Sequence, residues 1–311
     1  MSRRLPRREY GRSSTGWAIS RVGHLLGLGL DWIQFLDQNC GGAAFPCYSE
    51  HHGHAPAPGP WMTGALTTLV AELEARAATA DRPIVFSVEN VANDHLIAHF
   101  PTCDIRPNIE GDFVPLYHYL FHEYVRTQAA FALAPNPYWM EIKTAMSYVL
   151  GDQPTAIMGP GGRLMAWAGR PWAAWNTPAG DQPAILALLR RSIAMRRGVG
   201  RAFLIGGRML RPAAIQGIET VTWLCEGQMA TLPAILHARW QAADGRAAIA
   251  LANWTDQERV IQIDLPLLSS KSYIYHVQQD TLISTDSGMG GMRQFPLPPH
   301  SVALLEAPPT S

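Results

Sequence analysis

Two short, almost continuously apolar runs constrain the fold of this chain most. One is WIQFLDQ, which ends in Asp37 and Gln38, and the other is PIVFSVEN, which ends in Glu89 and Asn90. Strands that are apolar on both faces are typical of a parallel sheet covered by helices. A helical pattern precedes the first run, and another, WMTGALTTLVAELEARAA, separates the two. This alternation predicts an α/β fold with a parallel sheet.

The same alternation of strand and helix patterns continues over about the first two hundred residues. PTCDIRP is a candidate third strand, FVPLYHYLFHEYV could hold a fourth, and GDQPTAIMG is a candidate last strand. Helices are predicted around Tyr138–Leu150 and over residues 183–197. About five strand–helix units are visible, whereas a closed (β/α)8 barrel needs eight. The sequence therefore predicts a partial TIM-type barrel, about strands 4–8, in a chain that is a fragment or is completed in another way.

After about Pro212 the pattern changes to short strands separated by turn signals. The strands are AAIALANW, ERVIQIDL, SYIYHVQQ and SVALLEA, and the turns include NWTD and DSGMGG. Regular short strands with such turns predict a C-terminal antiparallel β-sandwich. We expect three segments: a basic mobile tail at 1–15, a partial barrel at 16–212 and the β-sandwich at 213–311.

The composition indicates which kinds of binding partner to expect. Lysine plus arginine equals aspartate plus glutamate at 25 each, so no global basic field favours nucleic acid. No apolar run reaches the roughly 18 residues of a membrane span, and the basic start lacks the apolar stretch of a signal peptide. We expect no membrane partner. As it stands, the chain would be cytoplasmic, and the protein would be exported if an upstream segment is missing. Cys40 and Cys47 could bridge in an exported protein, but free thiols are the default.

The two carboxylates at the strand ends are the strongest chemical signal. In a barrel, the loops that follow the strands build the active site, and catalytic groups lie at the carboxyl ends of the strands. Glycoside hydrolysis needs two carboxyl groups, one as nucleophile and one as acid/base. Glu89 has the more apolar lead-in, which favours a raised pKa and the acid/base role, and Asp37 is then the nucleophile. The alternative is structural: Asp37 caps a turn, and Glu89 pairs with an arginine.

Several polar residues could hold a substrate. The loop CYSEHHGH contains His52 and His54, which could contact sugar hydroxyls or, less favourably, a metal, because a structural zinc site wants four ligands. Asp104 could bind a hydroxyl, orient Glu89 or form a salt bridge. His118 belongs to an aromatic segment that is mostly core, and Asp152 is best read as a turn residue. No phosphate-binding or serine-nucleophile motif is present, so no cofactor is predicted.

These motifs resemble those of bacterial barrel glycosidases. GWAISRVGHLLGLGLDWIQFLDQ is similar to a segment of a large glycosidase-like family of uncharacterised function, related to endo-α-N-acetylgalactosaminidases and α-amylase-type retaining glycosidases. There a strand ends in Leu/Tyr-Leu/Ile-Asp-Gln, matching Leu36, Asp37 and Gln38, and the next ends in a glutamate, matching Glu89. LANWTDQERVIQIDL and LPPHSVALLEA resemble the C-terminal sandwich of many retaining glycosidases. The resemblance covers about residues 16–310.

The resemblance implies retaining hydrolysis, with Asp37 as nucleophile on the fourth strand and Glu89 as acid/base on the fifth. It also implies an N-terminal truncation, because those families place a β domain and three barrel strands before the fourth strand. The expected ligand is a carbohydrate. The residues predicted to bind it are Gln38, His52, His54, Asn90, Asp104 and His118, with no metal.

Two other functions stay open. One is a truncated, inactive glycosidase remnant or a carbohydrate-binding protein, which the missing half barrel favours. The other is a barrel lyase or isomerase that uses the same carboxylates with a metal held by His52 and His54. A fold alone does not separate these chemistries.

Overall fold

A computed structural model describes most of the chain, in two compact units formed by residues 1–103 and 104–311. No helix among the described residues has the length and apolar character to cross a bilayer. Asp37, Gln38, Cys40, Asn90 and residues 1–13 of the predicted tail lie outside the described residues. Those described are 14–36, 46–49, 51–89, 96–105, 114–129, 138–166, 177–178, 180–225, 228–264, 271–276, 281–286 and 292–307.

The first unit has the predicted parallel α/β layout. Its elements are α1 (Ser14–Gly27), β1 (Trp32–Leu36), α2 (Pro60–Ala77), β2 (Val85–Val88) and the first half of β3 (Thr102–Ile105), whose last two residues belong to the second unit. β1 pairs with β2 in parallel, and β2 pairs in parallel with β3. Ile33, Phe86 and Val88 are buried, as continuously apolar strands require, and Val70 and Leu73 form the buried face of α2. α1 begins three residues before the predicted helix, inside the predicted tail.

The second unit contains, near its start, a helix, a strand and a second helix. Its elements are α3 (Leu116–Phe121), β4 (Arg126–Ala129) and α4 (Trp139–Val149). After α4 the chain returns alongside β4, where Gln153 forms a parallel bridge with Gln128 and its backbone N–H donates to the Thr127 carbonyl. This crossover is the unit from which a (β/α) barrel is built, but a closed barrel is not confirmed.

One predicted strand of this region is wrong, and a second is right only at its start, where Gln153 pairs in parallel with Gln128. FVPLYHYLFHEYV contains the helix α3, and the strand begins only at Arg126. The burial explains why: His118 and His122, four residues apart, are both buried while Tyr119 and Tyr124 are exposed, which is the spacing of a helix.

In the second case, the predicted last barrel strand, GDQPTAIMG, contains β5 (Ile157–Met158). This strand pairs antiparallel with β6 (Leu164–Ala166), which pairs in turn with β7 (Thr177–Pro178). The chain reverses between β5 and β6 through Gly161 and Gly162, whose φ values of 71° and 73° favour glycine. Ile157 and Met158 therefore belong to a small antiparallel sheet.

The rest of the second unit is two helices and a two-sheet antiparallel β structure, close to the predicted sandwich. The elements are α5 (Gln182–Arg197), α6 (Arg201–Leu204), β8 (Arg208–Leu210), β9 (Ile215–Gln216), β10 (Thr220–Cys225), β11 (Gln228–Pro233), β12 (Ile235–Gln241), β13 (Ala247–Asn253), β14 (Arg259–Asp264), β15 (Lys271–His276), β16 (Thr281–Asp286), β17 (Met292–Leu297) and β18 (Ser301–Ala307). A six-stranded sheet has the order β16-β15-β18-β13-β12-β8, a three-stranded sheet the order β17-β14-β9, and β10 and β11 form a hairpin. β8 lies before the predicted boundary at residue 213.

The middle of the six-stranded sheet is buried on both faces, which is clearest in β13, where all seven residues are buried. Ala248, Ala250 and Ala252 belong to a core cluster with the side chains of α4, while Ile249 and Leu251 pack with residues of the three-stranded sheet. Small side chains allow a helix to approach closely, and larger ones fill the roughly 10 Å between packed sheets. The helices of the second unit and its sandwich therefore share one core.

Candidate functional site

The two predicted catalytic positions follow neighbouring parallel strands. The register of β1 and β2 matches Trp32 with Val85 and, after an irregularity between Gln34 and Leu36, Leu36 with Val88. Leu36 immediately precedes Asp37 in the sequence, and Val88 immediately precedes Glu89. The ends of the two strands are thus level, at the edge where a parallel sheet of this kind carries its ligands.

Glu89 lies at the transition from the sheet interior to its edge. Phe86, Ser87 and Val88 are buried, and Glu89 itself is half-buried. A carboxyl group in this position keeps access to a ligand while its strand fixes its backbone.

The loop after β1 brings together a cysteine and two histidines. The ligand atoms of Cys47, His52 and His54 lie within 4.8 Å of one another. Cys47 is a free thiol, and its Sγ lies 3.1 Å from Nδ1 of His52. The sequence predicted His52 and His54 as substrate ligands and did not include Cys47, although CYSEHHGH places all three within eight residues.

His118 is only 1% exposed and lies in a buried polar cluster of the second unit. Its Nε2 donates to Oδ1 of Asp152 over 2.7 Å, and the Thr127 hydroxyl donates to the same oxygen. Thr127 is near the start of β4, and Asp152 immediately precedes the segment that runs alongside it. In barrel folds this amino-terminal end contributes to stability, so the position favours a structural role. Substrate binding by His118 stays a prediction.

His122 completes this cluster one helical turn further along. Its Nδ1 donates to the Gly207 carbonyl over 3.0 Å, while Nε2 is buried with no partner among the described residues. Burial lowers the pKa of His122 from 6.5 to about 4. The ring is therefore neutral at physiological pH.

Asp104 lies in β3 and is 5% exposed. A carboxyl group at this depth needs a polar partner to remain in the fold. The structure does not separate its predicted roles, and substrate binding by Asp104 stays a prediction.

Sequence reasoning missed two buried charged residues of α4. All eleven residues of this helix are buried, including Glu141 in its first turn and Lys143. Burial, with a smaller contribution from the Asp181 charge, raises the pKa of Glu141 to about 7. Burial also lowers the pKa of Lys143 to about 8, and its Nζ donates to the Thr155 carbonyl over 3.0 Å. The sequence contains a signal for these two residues, because they are the only charges in the mostly apolar helix WMEIKTAMSYV.

The second unit also contains a cavity of about 820 Å³. Its walls are mostly apolar, and no aspartate or glutamate is among the described residues that line it; they include Val114, Tyr119, Met229, Leu232, Leu236 and His237.

Comparison with known proteins gives a likeness of fold alone. No family model matches the sequence, and no curated protein matches it. Among solved structures, a maltogenic α-amylase, AmyB, from Thermotoga neapolitana has a TM-score of 0.52 at 8% identity, over 98% of this chain and 69% of that one. α-Galactosidase I from Mortierella vinacea has a TM-score of 0.47 at 10% identity, over 96% of this chain and 72% of that one.

The chain spans little more than half of some of these structures. A candidate α-galactosidase/melibiase from Bacteroides fragilis has a TM-score of 0.47 at 11% identity, over 94% of this chain and 57% of that one. A second candidate from the same organism is covered to 58% of its length. At a TM-score of 0.52, the fold of this chain resembles that of the α-amylase AmyB at 8% identity, and activity and substrate do not follow from the likeness.

Proposed function

We propose that this chain carries the catalytic carboxylates of a retaining glycosidase. The observation that supports the proposal most is the parallel register in which Leu36 and Val88 are level, because Asp37 and Glu89 come next in the chain. Two carboxyl groups on adjacent strands, at one edge of the sheet, are what a two-step displacement at an anomeric carbon requires.

In this mechanism the Asp37 carboxylate attacks the anomeric carbon and forms a glycosyl ester. Glu89, protonated at the start, donates its proton to the leaving glycosidic oxygen as the bond breaks. Glu89 then accepts a proton from a water molecule, which attacks the ester, releases the sugar and restores the Asp37 carboxylate.

The remaining proposals concern the surroundings of this pair. Gln38, Asn90 and Asp104 would contact sugar hydroxyls, each from a position on or directly after one of the three parallel strands. The division into a catalytic segment at 16–212 and a sandwich at 213–311 is part of the same proposal. The ligand is a carbohydrate whose sugar and linkage are left open.

The test is hydrolysis of a panel of methyl glycosides and oligosaccharides, whose leaving groups need protonation, by the purified chain and its variants. Glu89→Gln and Asp37→Asn should each lower kcat/KM by about 10²–10⁴-fold on any substrate that the parent hydrolyses, since each loses one proton-transfer or nucleophilic function. Glu72→Gln is the matched control, because Glu72 is an exposed carboxylate of α2 in the same unit. Parent-like activity of Glu89→Gln would refute the assignment. A panel with no turnover at all would favour the inactive remnant.

A further inference from the structure

The loop between β1 and α2 contains a group of side chains that the two-step displacement itself does not require. We propose that Cys47, His52 and His54 bind a divalent transition metal of the zinc type. The proposal stands on the arrangement of these side chains and is independent of glycosidase activity.

The distances in this group are close to those of a tetrahedral site. Zinc binds sulfur at about 2.3 Å and imidazole nitrogen at about 2.0–2.1 Å, so ligand atoms in a tetrahedron are about 3.3–3.6 Å apart. Cys47 Sγ and His52 Nδ1 are separated by 3.1 Å, and no pair of ligand atoms in the group is more than 4.8 Å apart. Adjustments of up to about 1.5 Å, within the range of side-chain rotation, would complete the geometry.

The loop is already closed around the group. The Cys47 backbone N–H donates to the Pro56 carbonyl over 2.8 Å, which closes residues 47–56 of the loop into a turn around the group. The His54 ring stacks on Trp61, with ring centres 3.7 Å apart and planes 12° apart. Trp61 in turn donates through Nε1 to the Ala57 carbonyl over 2.9 Å. His54 is therefore held against the first turn of α2, and Cys47 is held by its backbone bond to Pro56.

The tautomer of His54 is the one that a metal needs. Its Nδ1 lies 2.9 Å from the Ala55 carbonyl oxygen. A carbonyl oxygen only accepts, so Nδ1 carries the hydrogen and Nε2 keeps its lone pair. Metal-binding histidines commonly donate their second ring nitrogen to a carbonyl in this way, which fixes the ring orientation.

The ligand types select the class of metal. A thiolate with two imidazoles suits zinc and cobalt and is poorly suited to magnesium or calcium, which prefer oxygen. Binding removes the proton of the Cys47 thiol, which is released to solvent, so affinity should fall as pH decreases. Three protein ligands leave a fourth position for water or an outside ligand.

The experiment is a titration of the reduced, tag-free chain with Co²⁺, followed by displacement with Zn²⁺. We expect one Co²⁺ per chain, with a near-ultraviolet thiolate-to-cobalt charge-transfer band that Zn²⁺ removes. Cys47→Ser should abolish the band, and His52→Ala and His54→Ala should each weaken Co²⁺ binding at least tenfold. Circular dichroism of each variant separates a lost ligand from a lost fold.

His51→Ala is the matched control, because His51 is the exposed neighbour of His52 and is not part of the group. Its Co²⁺ affinity should match that of the parent chain. The proposal is overturned if the parent shows no thiolate band, if the band survives Cys47→Ser, or if His51→Ala weakens binding as much as His52→Ala.

Discussion

The buried carboxyl group of Glu141 makes the stability of the second unit depend on pH. Burial raises its pKa from 4.5 to about 7, so between these values the folded chain holds a proton that the unfolded chain has released. Stability contributed by this group is therefore lost as pH rises from 4.5 towards 7 and stays lost above it. A shift of about 2.5 units at 1.36 kcal/mol each gives about 3 kcal/mol above pH 7.

Glu141→Gln replaces the carboxyl group with a neutral group of similar shape and removes this loss. We expect the variant to have the stability of the parent near pH 4 and to exceed it by about 3 kcal/mol at pH 8. At about 2–4 °C per kcal/mol for a unit of this size, that corresponds to a rise in Tm of about 6–12 °C. Thermal unfolding followed by circular dichroism between pH 4 and pH 8 measures the difference. Glu123→Gln, an exposed carboxylate of the same unit, should show no such trend. A pH-independent difference for Glu141→Gln would refute the reasoning.

Three further predictions concern the core of the second unit. Gly151→Ala should lower the free energy of unfolding, measured in urea, by about 3 kcal/mol or more. The reason is that φ is +72° at this position and the new Cβ would lie 2.6 Å from His122 Nε2. Gly206→Ala is the control and should show little loss, because the nearest atom to its new Cβ is 3.7 Å away. Trp240→Phe should cost about 2 kcal/mol or more in the same assay, since it removes the buried Nε1 bond to the Val149 carbonyl. The His122 ring should stay neutral in NMR titrations down to about pH 4, and a midpoint near 6.5 would contradict its burial.

Periodicity and composition predicted most of the first unit and much of the sandwich. β1 and β2 are recognisable because both their faces are apolar, and α2 because its helical pattern is long and uninterrupted. β4 was hidden because its sequence, RTQA, is polar, and its pairing depends on backbone bonds with a segment that follows a whole helix. Such long-range pairing leaves no local pattern.

The candidate sites were predictable to different extents. The spacing of strand ends indicated that Glu89 would follow a buried strand, and it does. The group around Cys47 required the loop closure at Pro56, which no periodicity encodes. The hydrogen bond of His118 also could not be predicted locally, because Asp152 reaches it only when the chain returns after α4.

The most direct test of the proposed function is the distance between the Asp37 and Glu89 carboxyl groups in a crystal structure of the chain. Retaining hydrolysis predicts about 5–5.5 Å, with both groups facing the same side of the sheet edge. A separation of about 6.5–9.5 Å would replace retention with inversion. A larger separation, or carboxyl groups facing opposite ways, would contradict the account.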